Sequence, residues 1–299
     1  MNTLSSIPAR DAQRLLLAAG AAVITVLSWA SAFPFIQIGL HSLTPMQLAA
    51  ARFATAAVLV LVWFAWRRPR LPTGLDALHF VLCAFLGIVL YNALLNTGEQ
   101  TVAPGAASFI AGTMPLFTAL LACAFLGERF NRRGWLGSLL SLAGIAVIAH
   151  GQPGGLTLGS GSTLILGAAL STAGFFVLQR RLICAYGASA STAYTLLAGA
   201  LLLLPWLPGA LGALADAPGS VWTAVLILGV FPAALGYATW SVTLDYFGAA
   251  RAANFLYLIP AVATAFSMAL TGERPGLSTL FGGLLTIVGV VFVAWRGRR

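Results

Sequence analysis

The sequence predicts an all-α membrane protein, with ten transmembrane helices in two inverted five-helix repeats around a central cavity. Three observations carry that prediction. The chain of 299 residues is 60% hydrophobic and only 8% charged, whereas a soluble domain carries about 25% charged residues. Apolar runs of roughly 20 residues recur along it, each long enough to cross ~30 Å of hydrocarbon as a helix and too continuous for barrel strands. Finally, one phrase is written twice. PLFTALLACAFLGERFNRRGWLGSLLSLAGIAVIA from Pro115 aligns without a gap to PAVATAFSMALTGERPGLSTLFGGLLTIVGVVFVA from Pro260. Gly127-Glu128-Arg129 then falls on Gly272-Glu273-Arg274, Gly137 on Gly282 and Gly144 on Gly289, each pair 145 residues apart. A repeat of half the chain in apolar helices points to a transporter built from two related halves.

The spans fall near 15–38, 45–66, 76–98, 104–126, 134–150, 160–182, 189–207, 220–243, 249–270 and 276–295. Turn chemistry separates them at Thr44-Pro45, Pro69 to Gly74, Ala103-Pro104-Gly105, Gly151 to Gly161, Pro205 to Gly219 and Pro275-Gly276. The repeat divides the chain into a first unit, 1–150, and a second, 151–299. Arg10 and Arg14 precede the first run, and Ala30-Ser31-Ala32 mimics a signal-peptidase site. Because similar runs follow throughout, the first one reads as an attached transmembrane helix.

The net charge is +9 and comes from arginine alone, since the sequence holds no lysine. That removes a Walker A phosphate loop and Schiff-base chemistry, both of which need a lysine amine. The arginines sit in short clusters between apolar runs, which speaks for membrane topology and against nucleic acid. With the N-terminus inside, the inner segments hold Arg10, Arg14, Arg67, Arg68, Arg70, Arg129, Arg132, Arg133, Arg180, Arg181, Arg251, Arg296, Arg298 and Arg299. The outer segments hold only Arg274, and Arg52 lies within the second span. Both termini are therefore expected in the cytoplasm of a bacterial cell, with the protein in its inner membrane. Five spans per half is an odd number, so the halves enter from opposite sides and form an inverted repeat. Cys83, Cys123 and Cys184 show no metal-ligand spacing, and nothing calls for a cofactor.

Certain motifs are shared with a known family: Trp29-Ala30-Ser31-Ala32-Phe33, Ala51-Arg52-Phe53, Pro115 to Glu128, and Ala249 to Glu273. On these the chain resembles, over essentially its whole length, the ten-helix EamA branch of the drug/metabolite transporter superfamily. Within that branch it is most similar to the YddG-type exporters of aromatic and other amino acids. The resemblance implies a basket of helices around a cavity lined chiefly by spans one, three, four, six, eight and nine, with five and ten peripheral.

Polar and aromatic residues at mid-membrane depth on those spans are the substrate-binding candidates: Trp29 and Phe33, Tyr91, Asn92 and Asn96, Phe175, Tyr237 and Trp240, Asn254 and Tyr257. Amides are costly in lipid without a partner, so they face the bundle interior, where each could equally be interhelical glue. Asn92, Asn96 and Glu99 form one stripe. Arg52 stands about two turns into its span, where a lone charge costs roughly 2.5–3.5 kcal/mol at the helix centre. It either pairs with Glu99 to fasten two helices, the preferred reading, or holds a substrate carboxylate. Pro34, Pro115, Pro232 and Pro260 interrupt spans and free a carbonyl four residues earlier; Pro115 and Pro260 would be equivalent hinges. Gly137, Ser141, Gly144 and Gly282, Thr286, Gly289 place small residues on one face of spans five and ten, either for a subunit interface or, preferably, for close packing inside the fold. Glu128 and Glu273 close helix ends.

No acid stands at the centre of a span, and no basic cluster suits a phosphate. The small multidrug exporters that resemble half of this fold use a first-helix glutamate; here Ser28, Trp29 and Ser31 occupy that region. An aromatic, amide-lined cavity fits a neutral or zwitterionic small molecule with apolar bulk. The expected function is export of aromatic and other neutral amino acids, or related metabolites, by alternating access, either downhill, the preferred reading, or in exchange for protons. Efflux of drugs or toxic cations is the alternative. A membrane enzyme lacks its convergent groups, with no His-Glu-x-x-His and no paired aspartates. The partners are the substrate and the bilayer, with a monomer and an oligomer both open.

Overall fold

The computed structural model describes residues 9–102, 104–150, 159–271 and 277–294. The second Gly-Glu-Arg turn, with Glu273 and Arg274, and the terminal Arg296, Arg298 and Arg299 lie outside the described residues. Ten helical rods make up the rest: α1 Ala9–Leu40, α2 Pro45–Arg67, α3 Gly74–Gly98, α4 Pro104–Phe125, α5 Arg132–His150, α6 Ser160–Tyr186, α7 Ala188–Ala215, α8 Gly219–Phe247, α9 249–271 and α10 Leu277–Ala294. There is no strand among the described residues. Eight rods are long and apolar enough to cross a bilayer, while α5 and α10 run 19 and 18 residues. Large apolar side chains such as Leu17, Val62, Leu139 and Leu284 point outward, as a hydrocarbon surround requires.

Local chemistry fixes the ends. Thr44 caps α2: its hydroxyl accepts from the Gln47 amide, the Gln47 side chain accepts from the Thr44 amide at 3.0 Å, and Pro45 fills the first turn. Gly187 and Gly248, at φ +80° and +76°, let the chain reverse between α6 and α7 and between α8 and α9. The stretch expected as a break at Pro205 departs from the sequence reading. There the chain tightens into one 3-10 turn, Leu204–Trp206, and continues as helix to Ala215. Pro205 and Pro208 each fall in the first turn of a new segment, where their missing N–H is not needed.

The spacing of 145 extends to every rod. Gly74 and Gly219 open α3 and α8, and Pro104 and Ala249 open α4 and α9. A π-helical turn interrupts α3 at Phe85–Leu90 and α8 at Gly229–Leu235. A break at 112–113 in α4 is matched by the 3-10 turn Leu256–Leu258 in α9. Helix α1 packs on α8 and α9 of the other half, and its equivalent α6 packs on α3 and α4.

Helices α5 and α10 meet through the small residues. Ser141 donates to the Thr286 carbonyl at 3.2 Å and Thr286 donates to the Ser141 carbonyl at 3.4 Å. A Cβ on Gly144 would fall 2.6 Å from the Gly282 carbonyl, and one on Gly289 would fall 2.6 Å from that of Gly137. As α5 advances from Gly137 to Gly144, its neighbour on α10 retreats from Gly289 to Gly282. The copies are therefore antiparallel, related by a two-fold axis across the helices, and the repeat is inverted. The glycines serve packing within the fold. At the end of the bundle where α1 begins, Glu128 accepts from the Ala249 and Ala250 amides, both at 2.9 Å. The turn of the first half thus caps α9 of the second.

Candidate functional site

The site is set by the two π turns. A π turn adds a residue to one helical turn and leaves carbonyls without their usual partner. The Gly87 carbonyl of α3 accepts from the Tyr237 hydroxyl, and the Leu86 carbonyl accepts from Ser171 at 2.8 Å. In α8 the Pro232 carbonyl accepts from Trp29 Nε1 at 3.0 Å. Gly87 and Pro232 are equivalent positions, so each half offers the same backbone carbonyl to an aromatic donor. Glycine is needed close by: a Cβ on Gly236 would stand 2.6 Å from Trp29 Nε1, and one on Gly87 would enter the Phe175 ring.

Trp29 thereby stands at the centre. It stacks on Phe176 with ring centroids 5.9 Å apart and meets Tyr237 edge-on at 5.7 Å. Two adjoining cavities of about 430 and 330 Å³ share Trp29, Phe33, Tyr91 and Met114. The larger adds Ile36, Arg52, Leu95, Thr172, Phe176 and Tyr237; the smaller adds Ser108, Leu256 and Ile259. Helix α2 joins the expected lining through Arg52, and α5 and α10 stay off it. From the level of Trp29 the larger cavity reaches towards the face opposite the start of α1, past Arg52, Leu95 and Ile36. Towards the other face Trp240 closes it, its ring 4.1 Å from Phe176 and fully buried. Below that plug Gln179 donates to Ser241 at 3.0 Å, bracing α6 to α8.

Of the four polar residues expected on α2 and α3, Arg52 alone lines the cavity, and Asn92, Asn96 and Glu99 are buried outside its lining. Arg52 is 3% exposed and donates to Asn92 Oδ1 at 3.1 Å. Asn92 in turn donates to the Ile88 carbonyl at 2.7 Å, and Asn96 to the Pro45 carbonyl at 3.0 Å. Glu99 is equally buried, yet among the described residues it forms no ion pair with Arg52. Arg52 takes Asn92 as its partner in place of Glu99.

The remaining candidates are placed elsewhere. Phe175 is buried behind the wall against Gly87 and Tyr237. Asn254 accepts from Ser138 at 2.8 Å and donates to the Ala250 carbonyl at 2.6 Å, tying α9 to α5. Tyr257 packs with Phe109, Ile145 and Val290 in a separate buried cluster. Pro115 and Pro260 each stand second in a restarted helical segment, Met114–Phe125 and Ile259–Thr271. Pro34 lies inside the continuous α1, and Pro232 within the π turn. Sequence reasoning missed Phe176, Met114, Leu95 and Ile36 on the walls. Phe176 lies four residues beyond Thr172, and that helical phase could have found it.

A family model described as the EamA-like transporter family matches residues 16–150 and again residues 159–295. The uncharacterized transporter YdfC of Bacillus subtilis is 37% identical over 264 residues, covering 88% of this chain and 86% of that protein. A probable terminal-alkyne amino-acid exporter of Streptantibioticus cattleyicolor is 33% identical over 288 residues, covering 96% and 97%. The inner membrane transporter YedA of Escherichia coli is 28% identical over 264 residues, covering 87% and 85%. One solved crystal structure aligns at TM-score 0.75 over 93% of this chain and 96% of its own, at 20% identity, and so supports the fold alone. With both halves matched in turn, this multi-pass membrane protein belongs to the EamA-like transporter family, within the drug/metabolite transporter superfamily, whose members move small molecules.

Proposed function

We propose that this chain exports neutral amino acids, aromatic ones among them, across the bacterial inner membrane with both termini in the cytoplasm. The observation that carries the reading is the cavity: aromatic and apolar walls of Trp29, Phe33, Tyr91, Phe176 and Tyr237, with Arg52 as the one charged lining residue among those described. Apolar walls accept a side chain, and a guanidinium accepts a carboxylate. Arg52 also disfavours the cationic drugs of the alternative reading. The amino-acid exporter among the relatives supports the same substrate class.

Residues 1–150 and 151–299 act as the two moving units. In the proposed orientation the cavity lies on the outer side of the bundle's midpoint, with the Trp240–Phe176 contact closing the inner side. Because the halves are inverted copies, exchanging their conformations would open the inner side and close the outer one. Purified protein in liposomes, preloaded with unlabelled phenylalanine or leucine, is expected to accumulate the labelled amino acid by saturable counterflow. Counterflow of a cationic dye with none of any amino acid would overturn the assignment.

A further inference from the structure

Arg52 and Glu99 are both 3% exposed, and both are left incomplete by the protein. Arg52 Nε and both Glu99 carboxylate oxygens lack a hydrogen-bond partner among the described residues. The two side chains form no ion pair with each other. A buried ion without its counter-ion is costly. Arg52 lines the cavity and Glu99 is buried one helical turn beyond its Leu95 wall, so one ligand carrying both charges would complete both groups.

Their placement follows the cavity wall. Tyr91, Leu95 and Glu99 occupy successive i+4 positions on α3. The first two line the larger cavity, and Glu99, the residue that ends α3, is buried one helical turn beyond Leu95, outside that lining. Arg52 lines that cavity directly from α2 and is held by Asn92, itself anchored to the Ile88 carbonyl. The Asn96 bond to the Pro45 carbonyl ties the start of α2 to α3. The frame around the two groups is therefore built by contacts that use neither Glu99 oxygen nor Arg52 Nε.

We propose that Arg52 and Glu99 form the headgroup site for a free α-amino acid, the guanidinium taking its carboxylate and the Glu99 carboxylate its ammonium. This rests on the amino-acid reading above and deepens it. A zwitterion carries one positive and one negative group on the same carbon and is neutral overall, like the pair it completes. A simple cation would satisfy Glu99 and be repelled by Arg52; a simple anion would do the reverse. With the headgroup there, the side chain points to Trp29, Phe176 and Tyr237. The equivalent positions in the second half are Leu197 and Leu244, so one headgroup binds per chain, in one orientation.

The test is competition in counterflow of labelled phenylalanine by three unlabelled probes: phenylalanine, its amide, which lacks the carboxylate, and N-acetylphenylalanine, which lacks the ammonium. For the unsubstituted protein both blocked probes should compete about tenfold or more weakly than phenylalanine, the loss expected when one charge-assisted bond is deleted. Glu99→Gln should weaken phenylalanine by about tenfold and leave the N-acetyl compound nearly unchanged, erasing the difference between them. Arg52→Gln should do the same for phenylalanine and its amide. Equal competition by the N-acetyl compound in the unsubstituted protein, or an unchanged ranking in Glu99→Gln, overturns the headgroup site while leaving amino-acid transport standing. If the substituted proteins lose their folded thermal transition, the three-probe ranking on the unsubstituted protein decides alone. Failure of every amino acid to exchange would instead sink the function itself.

Discussion

At position 87 the first half presents a carbonyl to Tyr237, and at the equivalent position 232 the second half presents one to Trp29. The breaks in α4 and α9 and the glycine faces of α5 and α10 are duplicated in the same way. At positions 52, 92 and 99, by contrast, the first half carries Arg52, Asn92 and Glu99 where the second carries Leu197, Tyr237 and Leu244. Leu95 lines the cavity, while its counterpart Trp240 is buried as the plug. Backbone devices are held in common and side-chain chemistry is divided. On the proposed mechanism, a shared backbone would let the halves exchange conformations, and divided chemistry would give the substrate one way round and let the two closures differ.

The largest effect is expected where the halves are most alike. Gly144→Leu and Gly289→Leu each drive a side chain into the facing backbone, and overpacking of this kind costs about 1–3 kcal/mol or more. Thermal unfolding in detergent should show both proteins destabilised by similar amounts. If one substitution is harmless while its twin unfolds the protein, the two-fold contact is not the shared foundation described above.

Next come the carbonyls of the π turns. Tyr237→Phe leaves the Gly87 carbonyl without its donor, and Trp29→Phe does so for Pro232. Each lost bond is worth about 0.5–1.5 kcal/mol in stability, so the proteins should stay folded while transport falls. Initial counterflow rates should drop in both, and further in Trp29→Phe, because Trp29 also stacks on Phe176 at the cavity centre. A Tyr237→Phe protein with unchanged rates would show that the two carbonyls, though equivalent in position, are unequal in use.

How far the sequence reveals this arrangement depends on the kind of signal. The spans and the inverted repeat are legible because they rest on hydropathy and a gapless alignment; the turn motif marks Glu128 as closing a helix end but does not show that it caps α9 of the other half. Trp29, Phe33, Tyr91, Arg52 and Tyr237 stand out as polar or aromatic groups in apolar runs, and the cavity gathers them. The π turns do not stand out. A single added residue changes helical phase by about a quarter turn, and in a helix that is apolar all round that shift leaves no trace in the pattern. Asn254 and Tyr257 show the converse: their residue types resemble a binding wall, but whether they face the cavity or Ser138 and Ile145 is a matter of tertiary phase. The partner of Arg52 is a choice between Asn92 and Glu99, two turns apart on the same stripe, which composition cannot make.

A smaller effect tests a contact between the halves. Glu128→Gln keeps the shape of the cap on α9 but removes the charge that faces two amides and the positive end of that helix. A loss of about 1 kcal/mol is expected, measurable as a modest fall in the thermal midpoint with counterflow retained. A fall as large as that of Gly144→Leu would mean that this turn, and not the α5–α10 contact, holds the halves together.

The smallest effect expected is none. Glu99 is the one buried acid among the described residues, and its counterpart Leu244 cannot titrate. If Glu99 receives the substrate ammonium, its charge is engaged by the solute that crosses and is not free to ferry a proton back. Counterflow and net efflux should then run at the same rate with and without an imposed pH gradient, at zero membrane voltage. Acceleration by the gradient that disappears in Glu99→Gln would assign the carboxylate to proton exchange. The chemical division between the halves would then serve energy coupling as well as recognition.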